Sequence, residues 1–170
     1  VIYNGVAVAR GLEDITPNNP NGPSGELFDD ATFADLFFSV SANACGDYVV
    51  GGVTNAANVL ANAVLVLNGT KVVAREGDAI DVDGDGVADN WFLRTFNNHD
   101  AFLTDLGEYV FFADIRADNS VAAGTNQAMM VIQAFCPADM NRDGIVDFND
   151  YLEFLNRFNA NSRCADFNRD

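Results

Sequence analysis

Short apolar runs separated by Gly, Asn and Asp recur along the chain from its first residues to about residue 135. Within these runs the apolar positions alternate or follow one another directly, and they do not show the 3.6-residue period of an amphipathic helix. Runs of this length between turn-forming residues predict β-strands. The predicted strands cover residues 6–9, 37–40, 48–53, 63–67, 71–75, 92–96, 108–113 and 129–135.

Two Asn-Gly pairs predict tight turns within this β-rich part. Asn4-Gly5 and Asn68-Gly69 each separate two apolar runs, and Asn-Gly readily takes the two positive φ values of a type I′ hairpin turn. Residues 16–25 contain three prolines. Proline cannot donate a backbone hydrogen bond in a sheet, so this segment is predicted to be a loop.

Three sequence matches indicate an internal repeat of about 60 residues. Residues 3–5 match residues 67–69, residues 45–49 match residues 106–110, and residues 63–66 match residues 128–131. The offsets are 64, 61 and 65 residues. A unit of about 60 residues with four short strands is long for a propeller blade, and two units are too few to close a propeller. The predicted fold is therefore propeller-like repeats or a β-sandwich, and the two units could also form an open stack or part of an assembly completed by other chains.

One segment follows a helical pattern instead. Residues 150–158 place their apolar side chains on one stripe of a helix. These side chains are Tyr151, Leu152, Phe154, Leu155 and Phe158. The fold is therefore predicted to be mainly β with a small C-terminal α module. The expected division is a β-rich domain of two repeats at 1–135 and the module at 136–170.

The charge balance points to the chemistry of this chain, because 25 acidic residues oppose nine basic ones and give a formal net charge of −16. Such a surface repels nucleic acid and anionic membranes, since binding either one requires Lys and Arg near phosphate. Ten of the acids fall in short clusters at 81–89, 139–150 and 166–170, which indicates cation binding. The chain shows no signal-peptide pattern and no long apolar run, so it is interpreted as a mature or excised segment.

The strongest motif occupies residues 139–150. An EF-hand loop supplies Ca²⁺ with oxygen ligands from positions 1, 3, 5, 7, 9 and 12 and has glycine at position 6, where this chain has Gly144. The predicted ligands are Asp139, Asn141, Asp143, the carbonyl of Ile145, Asp147 and Asp150. All ligand positions are filled, so this loop is predicted to bind calcium.

A second acidic loop begins in the same way and lies among predicted strands. Its predicted ligands are Asp81, Asp83, Asp85, the carbonyl of Val87 and Asp89. Position 12 is Phe92, which cannot coordinate a cation. Additional ligands would come from Asp78, Asn90 or Asp100. The alternative for this loop is an acidic hairpin without a metal.

The C-terminal region resembles the dockerin family. The resemblance is carried by Asp150 closing the loop, by the start of a second loop at 166–170, by the absence of a predicted helix before the first loop, and by the leading Cys136-Pro137-Ala138-Asp139. It implies a calcium-dependent attachment module with a cohesin-like or surface partner, of which the second loop is incomplete. The β repeats are likewise similar to propeller-like repeats of secreted, surface-anchored bacterial proteins.

The three cysteines bear on the compartment. Cys136 and Cys164 bracket the acidic loop and its helix, which predicts a disulfide between them and leaves Cys45 over; the alternative is three free thiols. A disulfide would indicate an oxidising, extracellular setting. Asn68-Gly69-Thr70 is a sequon that would accept a glycan in a host that glycosylates secreted proteins.

No residue pattern favours an enzyme. The single histidine, His99, stands beside Asp100 and is predicted to lie in a polar turn. Asp29 with Asp30, or Asp35 with Glu26, could serve as the carboxylate pair of a glycosidase. Such pairs also arise by chance in a chain with 25 acidic residues. Trp91 and the 14 phenylalanines are interpreted as core residues rather than as a platform for sugars.

We therefore expect an extracellular calcium-binding structural protein that mediates protein–protein assembly. Both ends fall within a repeated motif, which is typical either of a fragment or of a protomer that joins its neighbour head to tail in a fibre or surface layer. The alternative is a dockerin-type attachment module that carries a ligand- or carbohydrate-binding β-domain.

Overall fold

The structure is a computed structural model that describes residues 1–29, 36–118 and 124–166, with the backbone alone for residues 97–100. Its first six strands are β1 (Ile2–Tyr3), β2 (Val6–Ala7), β3 (Phe37–Ala42), β4 (Tyr48–Val53), β5 (Ala63–Leu67) and β6 (Lys71–Arg75). Four more follow, β7 (Ala79–Ile80), β8 (Trp91–Leu103), β9 (Glu108–Arg116) and β10 (Asn126–Gln133). A helix, α1 (Phe148–Asn159), and a 3₁₀ turn at Arg163–Ala165 end the described chain.

Antiparallel pairing between sequence neighbours forms the sheets. The first sheet has the order β3-β4-β5-β6 and the second has the order β10-β9-β8-β7, while β1 and β2 form a separate hairpin. The prediction of a mainly β fold is confirmed. A propeller needs at least four blades, and the two packed sheets do not show one. The prediction of propeller-like repeats therefore stays a prediction.

Three strands, β4, β5 and β6, have their predicted bounds, and β8 departs most from the prediction. The polar turn predicted around His99 and Asp100 is wrong, because the backbone of 97–100 belongs to β8. The pairing of β8 with β9 shifts register between Phe96 and Ala101, which accommodates the extra polar residues in a continuous strand. The side chains of His99 and Asp100 lie outside the described residues.

The two Asn-Gly turns have the backbone that the sequence predicts. The φ values are 49° and 78° at Asn4 and Gly5, and 52° and 65° at Asn68 and Gly69. These pairs of positive values fit type I′ turns, whose twist matches that of the flanking strands. They close the β1–β2 and β5–β6 hairpins.

Within the part of the chain that the structure describes, the first sheet is covered on both faces and the second sheet on one. Val49, Leu65 and Leu67 of the first sheet are buried against Tyr109 and Phe111 of the second. The opposite face of the first sheet lies under the N-terminal segment, in a second core cluster of Ala9, Ile15, Phe28, Val50, Val64 and Val66. Full burial of a Val or Leu side chain contributes about 1.5–3 kcal/mol, so both contacts stabilise the fold substantially.

The pairing corrects the third of the sequence matches. Val49 pairs with Leu67 in the first sheet, and Val110, which lies 61 residues after Val49, pairs with Val131 in the second. Leu67 therefore corresponds to Val131, at an offset of 64 rather than 65. A shift of one residue matters because it moves every side chain to the other face of the sheet.

The helix α1 begins at its cap. The Asp147 side chain accepts hydrogen bonds from the amides of Asn149 and Asp150, and the Asp150 side chain accepts one from the Asp147 amide. The two reciprocal bonds between Asp147 and Asp150 form a capping box. The predicted helix is confirmed and starts two residues earlier than expected. Part of its apolar stripe is exposed, including Tyr151, Leu152 and Phe158.

The predicted Cys136–Cys164 disulfide is wrong. Cys164 bonds to Cys45, 119 residues away, with a Cα–Cα distance of 5.4 Å, and Cys136 is an exposed free thiol. The reason is that the 3₁₀ turn folds back onto the loops between strands. Arg163 lies 3.7 Å from the carboxylate of Asp105, and Asp105 accepts a hydrogen bond from the amide of Ala44.

No helix within residues 1–29, 36–118 and 124–166 is both long and apolar enough to cross a lipid bilayer.

Candidate metal-binding loops

The C-terminal loop, residues 139–150, is organised around Asp139 at its first position. Asp139 is buried, and its Oδ1 accepts a hydrogen bond from the Asp143 amide at 3.1 Å, while its Oδ2 accepts one from the Gly144 amide at 2.9 Å. Gly144 has a φ of 88°, a conformation that side chains with a Cβ rarely adopt. This glycine therefore allows the loop to turn back onto Asp139.

Asn141 and Asp143 fold the middle of the loop. The Asn141 Nδ2 donates to Asp143 Oδ2 at 2.8 Å, and the Asn141 Oδ1 accepts from the Asp143 amide at 3.0 Å. Asp143 Oδ1 accepts in turn from the Ile145 amide at 2.8 Å. The side chains at positions 3 and 5 are thus fixed next to the turn.

Asp150 joins the two halves of the loop. Its carboxylate accepts hydrogen bonds from the amides of Asn141 at 3.2 Å and Asp147 at 2.7 Å. The Asp147 amide, with those of Asn141 and Met140, holds the pKa of Asp150 below its usual value. A carboxylate that remains ionised is suited to bind a divalent cation.

The donor set of this loop fits Ca²⁺, because it consists entirely of hard oxygens: four carboxylates, an amide oxygen and the Ile145 carbonyl. The carboxylates of this loop accept most of their hydrogen bonds from backbone amides. The loop would hold the ion through Asp139, Asn141, Asp143, Ile145, Asp147 and Asp150.

The second acidic loop, residues 81–89, connects β7 to β8 and projects into solvent. Asp81 accepts hydrogen bonds from the amides of Gly84 at 2.7 Å and Gly86 at 2.8 Å, which hold its pKa below the usual value, with Gly86 contributing most. Asp85 accepts from the Val87 amide at 2.8 Å. Asp89 accepts from the Val82 amide at 2.8 Å.

Among the described residues, one group of three carboxylates has oxygens that all lie within 4.8 Å of one another. It consists of Asp81, Asp83 and Asp89. The structure therefore brings together three of the ligands predicted for the 81–89 loop. Asp85 and Val87 lie in the same turn but outside this group.

The additional ligands considered for the 81–89 loop are engaged elsewhere. Asp78 accepts a hydrogen bond from the Arg75 amide at 2.7 Å, and the Asn90 Nδ2 donates to the Ala117 carbonyl at 3.0 Å. The side chain of Asp100 lies outside the described residues. Phe92, at position 12, belongs to β8.

Arg142 anchors the C-terminal loop to the β-domain, and sequence reasoning missed it. Its guanidinium donates to Asp47 from Nε at 3.1 Å and from Nη2 at 3.0 Å, and it lies 3.6 Å from the centre of the Phe135 ring. It also donates to the backbone carbonyls of Cys136 and Asp139. The sequence signal for this contact is the arginine at position 4 of an acidic loop, because its guanidinium can pair with a carboxylate outside the loop.

Asp47 is the other half of this anchor. Burial alone would raise the pKa of Asp47, but hydrogen bonds from Arg142 and Asn68, the charge of Arg142 and a hydrogen bond from Asn43 together hold it below its usual value. Cys45, which forms the disulfide with Cys164, lies in the same turn between β3 and β4 as Asp47. Two independent connections therefore join the C-terminal region to the turn that precedes β4.

The acid pairs considered for catalysis have other surroundings. Glu26 receives two hydrogen bonds from Arg75, at 3.0 and 2.7 Å, and one from Thr54. Burial would raise the pKa of Glu26, but these partners lower it below the usual value. Asp30 and Asp35 lie outside the described residues, and the Asp29 amide donates to the Val53 carbonyl.

The sequon residue Asn68 is also engaged. Its Oδ1 accepts from the Tyr48 amide at 2.8 Å, and its Nδ2 donates to Asp47 at 3.0 Å. A glycan on Nδ2 would have to displace the second of these bonds.

No family model, curated protein or solved structure matches the chain. The interpretation of the two loops therefore depends on their geometry.

Proposed function

We propose that this chain is an extracellular calcium-binding structural protein that assembles with other protein chains. In this proposal the C-terminal region acts as a dockerin-like module with Ca²⁺ as its cofactor. The partner is a second copy of the chain, joined head to tail in a fibre or layer. The observation that carries the proposal is that two separate aspartate loops adopt the same local conformation, with the first aspartate accepting hydrogen bonds from backbone amides and the backbone turned around a glycine.

The mechanism is linkage between ion binding and folding. A cation that binds the folded loops and not the unfolded chain stabilises the folded state by an amount that rises with its concentration. In the C-terminal loop this stabilisation reaches the β-domain, because Arg142 and the disulfide join the loop to the turn before β4. Calcium would also reduce the repulsion between copies, each of which carries a net charge of −16.

Calorimetric titration with Ca²⁺ tests the binding. The wild-type chain should bind two ions in the range of extracellular modules, with Kd values of about 10⁻⁴ to 10⁻³ M or tighter. Asp143→Ala should remove one binding event, and Asp83→Ala should remove the other. Glu13→Gln changes an exposed acid that pairs with Arg10 outside both loops and should leave the titration unchanged.

Assembly is tested separately by light scattering and negative-stain microscopy in about 2 mM Ca²⁺, above the weak end of that range, and again with excess chelator. Particles that grow with Ca²⁺ and shrink with chelator support a structural assembly protein. A chain that binds Ca²⁺ and stays monomeric contradicts self-assembly. A chain that shows no heat of binding contradicts the whole proposal.

The second candidate, an attachment module carrying a ligand-binding β-domain, is favoured by one groove. It has a volume of about 390 Å³ and lies between the β5–β6 turn, the proline-rich loop and the C-terminal loop. Asn21, Thr70 and Lys71 contribute polar groups to its lining, and Phe135 contributes an aromatic ring. Retention of the monomer on polysaccharide columns, lost on Lys71→Ala together with Asn21→Ala, would select this function over assembly.

A further inference from the structure

Among the described residues nothing covers one face of the second sheet, and the central part of that face is apolar. Three adjacent strands contribute a row in which Phe102 pairs with Val110 and Val110 pairs with Val131. Phe112 and Met129 pair in the next row. Phe102, Met129 and Val131 are 56%, 64% and 55% exposed. We call these five residues the open face.

The corresponding residues of the first sheet are in contact with another sheet. There, Ser41 pairs with Val49 and Val49 with Leu67, while Gly51 pairs with Leu65. The offsets between the two sets are 61 residues for β3 and β4 and 64 for β5. The open face is therefore equivalent to the face of the first sheet that packs on the second.

The difference between the two faces is whether anything covers them. Val49 and Leu65 are at most 1% exposed in the first sheet, because the second sheet lies on them. The Ser41 hydroxyl accepts a hydrogen bond from the Leu103 amide at 2.8 Å across this contact. The repeat thus uses this face to pack against a following layer, and in the second sheet no following layer is present among the described residues.

The opposite end of the molecule carries an apolar surface of its own. The β1–β2 hairpin matches the β5–β6 hairpin at an offset of 64, so that Ile2 corresponds to Val66 of the first sheet. Val66 is buried under the N-terminal layer, whereas Ile2 is 75% exposed. Ile2 pairs with Ala7 on the side of the hairpin opposite Tyr3, and the Tyr3 ring contacts Tyr48 of the first sheet. Among the described residues, both the open face and the Ile2 side of the N-terminal hairpin are therefore uncovered.

We propose that the open face binds a second copy of this chain through the N-terminal layer of that copy, around Ile2. This proposal rests on the proposed self-assembly and names its interface. Charge supports it, because two chains of net charge −16 repel wherever their acidic surfaces meet. The five residues of the open face carry no charge, and the acids on the same side of β9, Glu108 and Asp114, lie at its two margins. The contact joins two different surfaces, so it propagates into an open filament rather than closing a dimer.

Sedimentation velocity at increasing protein concentration in about 2 mM Ca²⁺ tests the interface. Met129→Lys with Val131→Lys should weaken self-association by about tenfold or more, since it places charge at the centre of an apolar contact. Ile2→Lys should weaken self-association to the same extent, because it places a charge in the N-terminal layer that contacts the open face. Val59→Lys, at an exposed valine outside both surfaces, should leave association unchanged.

Mixing the two impaired variants provides the decisive measurement. The Ile2→Lys chain retains its open face and the Met129→Lys, Val131→Lys chain retains its N-terminal layer, so the mixture should form heterodimers that do not grow further. Self-association of the Ile2→Lys chain alone would overturn head-to-tail docking, because it would require two open faces to meet. Association that survives both variants would overturn the interface but leave calcium-dependent assembly standing. A wild-type chain that binds Ca²⁺ and sediments as a monomer at all concentrations would overturn both.

Discussion

Gly84 and Arg142 occupy the fourth position of two aspartate loops that have nearly the same backbone. Their φ values are 79° and 63°, and the glycines at position 6, Gly86 and Gly144, both have a φ of 88°. In each loop the first aspartate accepts a hydrogen bond from the position 6 amide, at 2.8 Å for residues 81–89 and 2.9 Å for residues 139–150. The position 5 aspartate accepts from the position 7 amide at 2.8 Å in both.

The surroundings of the two loops differ much more than their backbones. The 81–89 loop joins two strands, and its residues are almost all exposed. The C-terminal loop ends in a capped helix, has a buried Asp150 at position 12, and is joined to the β-domain by Arg142. A short pattern of Asp, Asn and Gly therefore determines the loop conformation, whereas contacts with distant residues determine the position and rigidity of the loop.

The largest expected effect comes from the covalent connection of the C-terminal loop. Cys45→Ser should lower the free energy of unfolding by about 3–5 kcal/mol, because the Cys45–Cys164 disulfide closes a very long loop in the unfolded chain. The measurement is urea denaturation followed by circular dichroism. Cys136→Ser changes the exposed free thiol and is the matched control. A loss for Cys136→Ser equal to that for Cys45→Ser would contradict the pairing.

A smaller effect is expected from the ion pair. Arg142→Gln should cost about 3 kcal/mol of unfolding free energy, since it leaves the buried Asp47 carboxylate without its cationic partner. Arg10→Gln removes an exposed pair with Glu13 and should cost about 1 kcal/mol or less. Similar losses for the two variants in the same denaturation experiment would show that Arg142 does not anchor the loop.

Alanine at position 6 of each loop is expected to have the least effect on stability, and it tests directly whether the surroundings of the two loops matter. Alanine at a φ of 88° is strained by about 1 kcal/mol, and nothing lies within 4 Å of the added Cβ at Gly86 or Gly144. Gly144→Ala should show that loss in full, because its loop is fixed to the β-domain. Gly86→Ala should show less, because an exposed loop relaxes without disturbing the core. Equal losses, measured by thermal unfolding, would mean that the surroundings of the loops do not matter.

Local patterns predicted the parts of the fold that depend on near neighbours. The bounds of β4, β5 and β6, the two Asn-Gly turns and the helix after residue 147 all follow from periodicity and turn chemistry. The β8 strand did not, because a polar stretch at 97–100 resembles a turn until its pairing with β9 is known. The disulfide was missed for a similar reason, since the sequence favours the nearer cysteine and the actual partner is 119 residues away.

The mainly β fold, the strong acidity and the two aspartate loops can all be predicted from the amino-acid sequence, because they depend on residue type and on spacings of a few residues. The covered face of each sheet, the pairing of the cysteines and the contact between Arg142 and Asp47 follow only from the three-dimensional structure. These are contacts between residues far apart in the chain. A shift of one residue in strand register moves every side chain to the other face of the sheet. A local sequence pattern does not show which distant segment packs on that face.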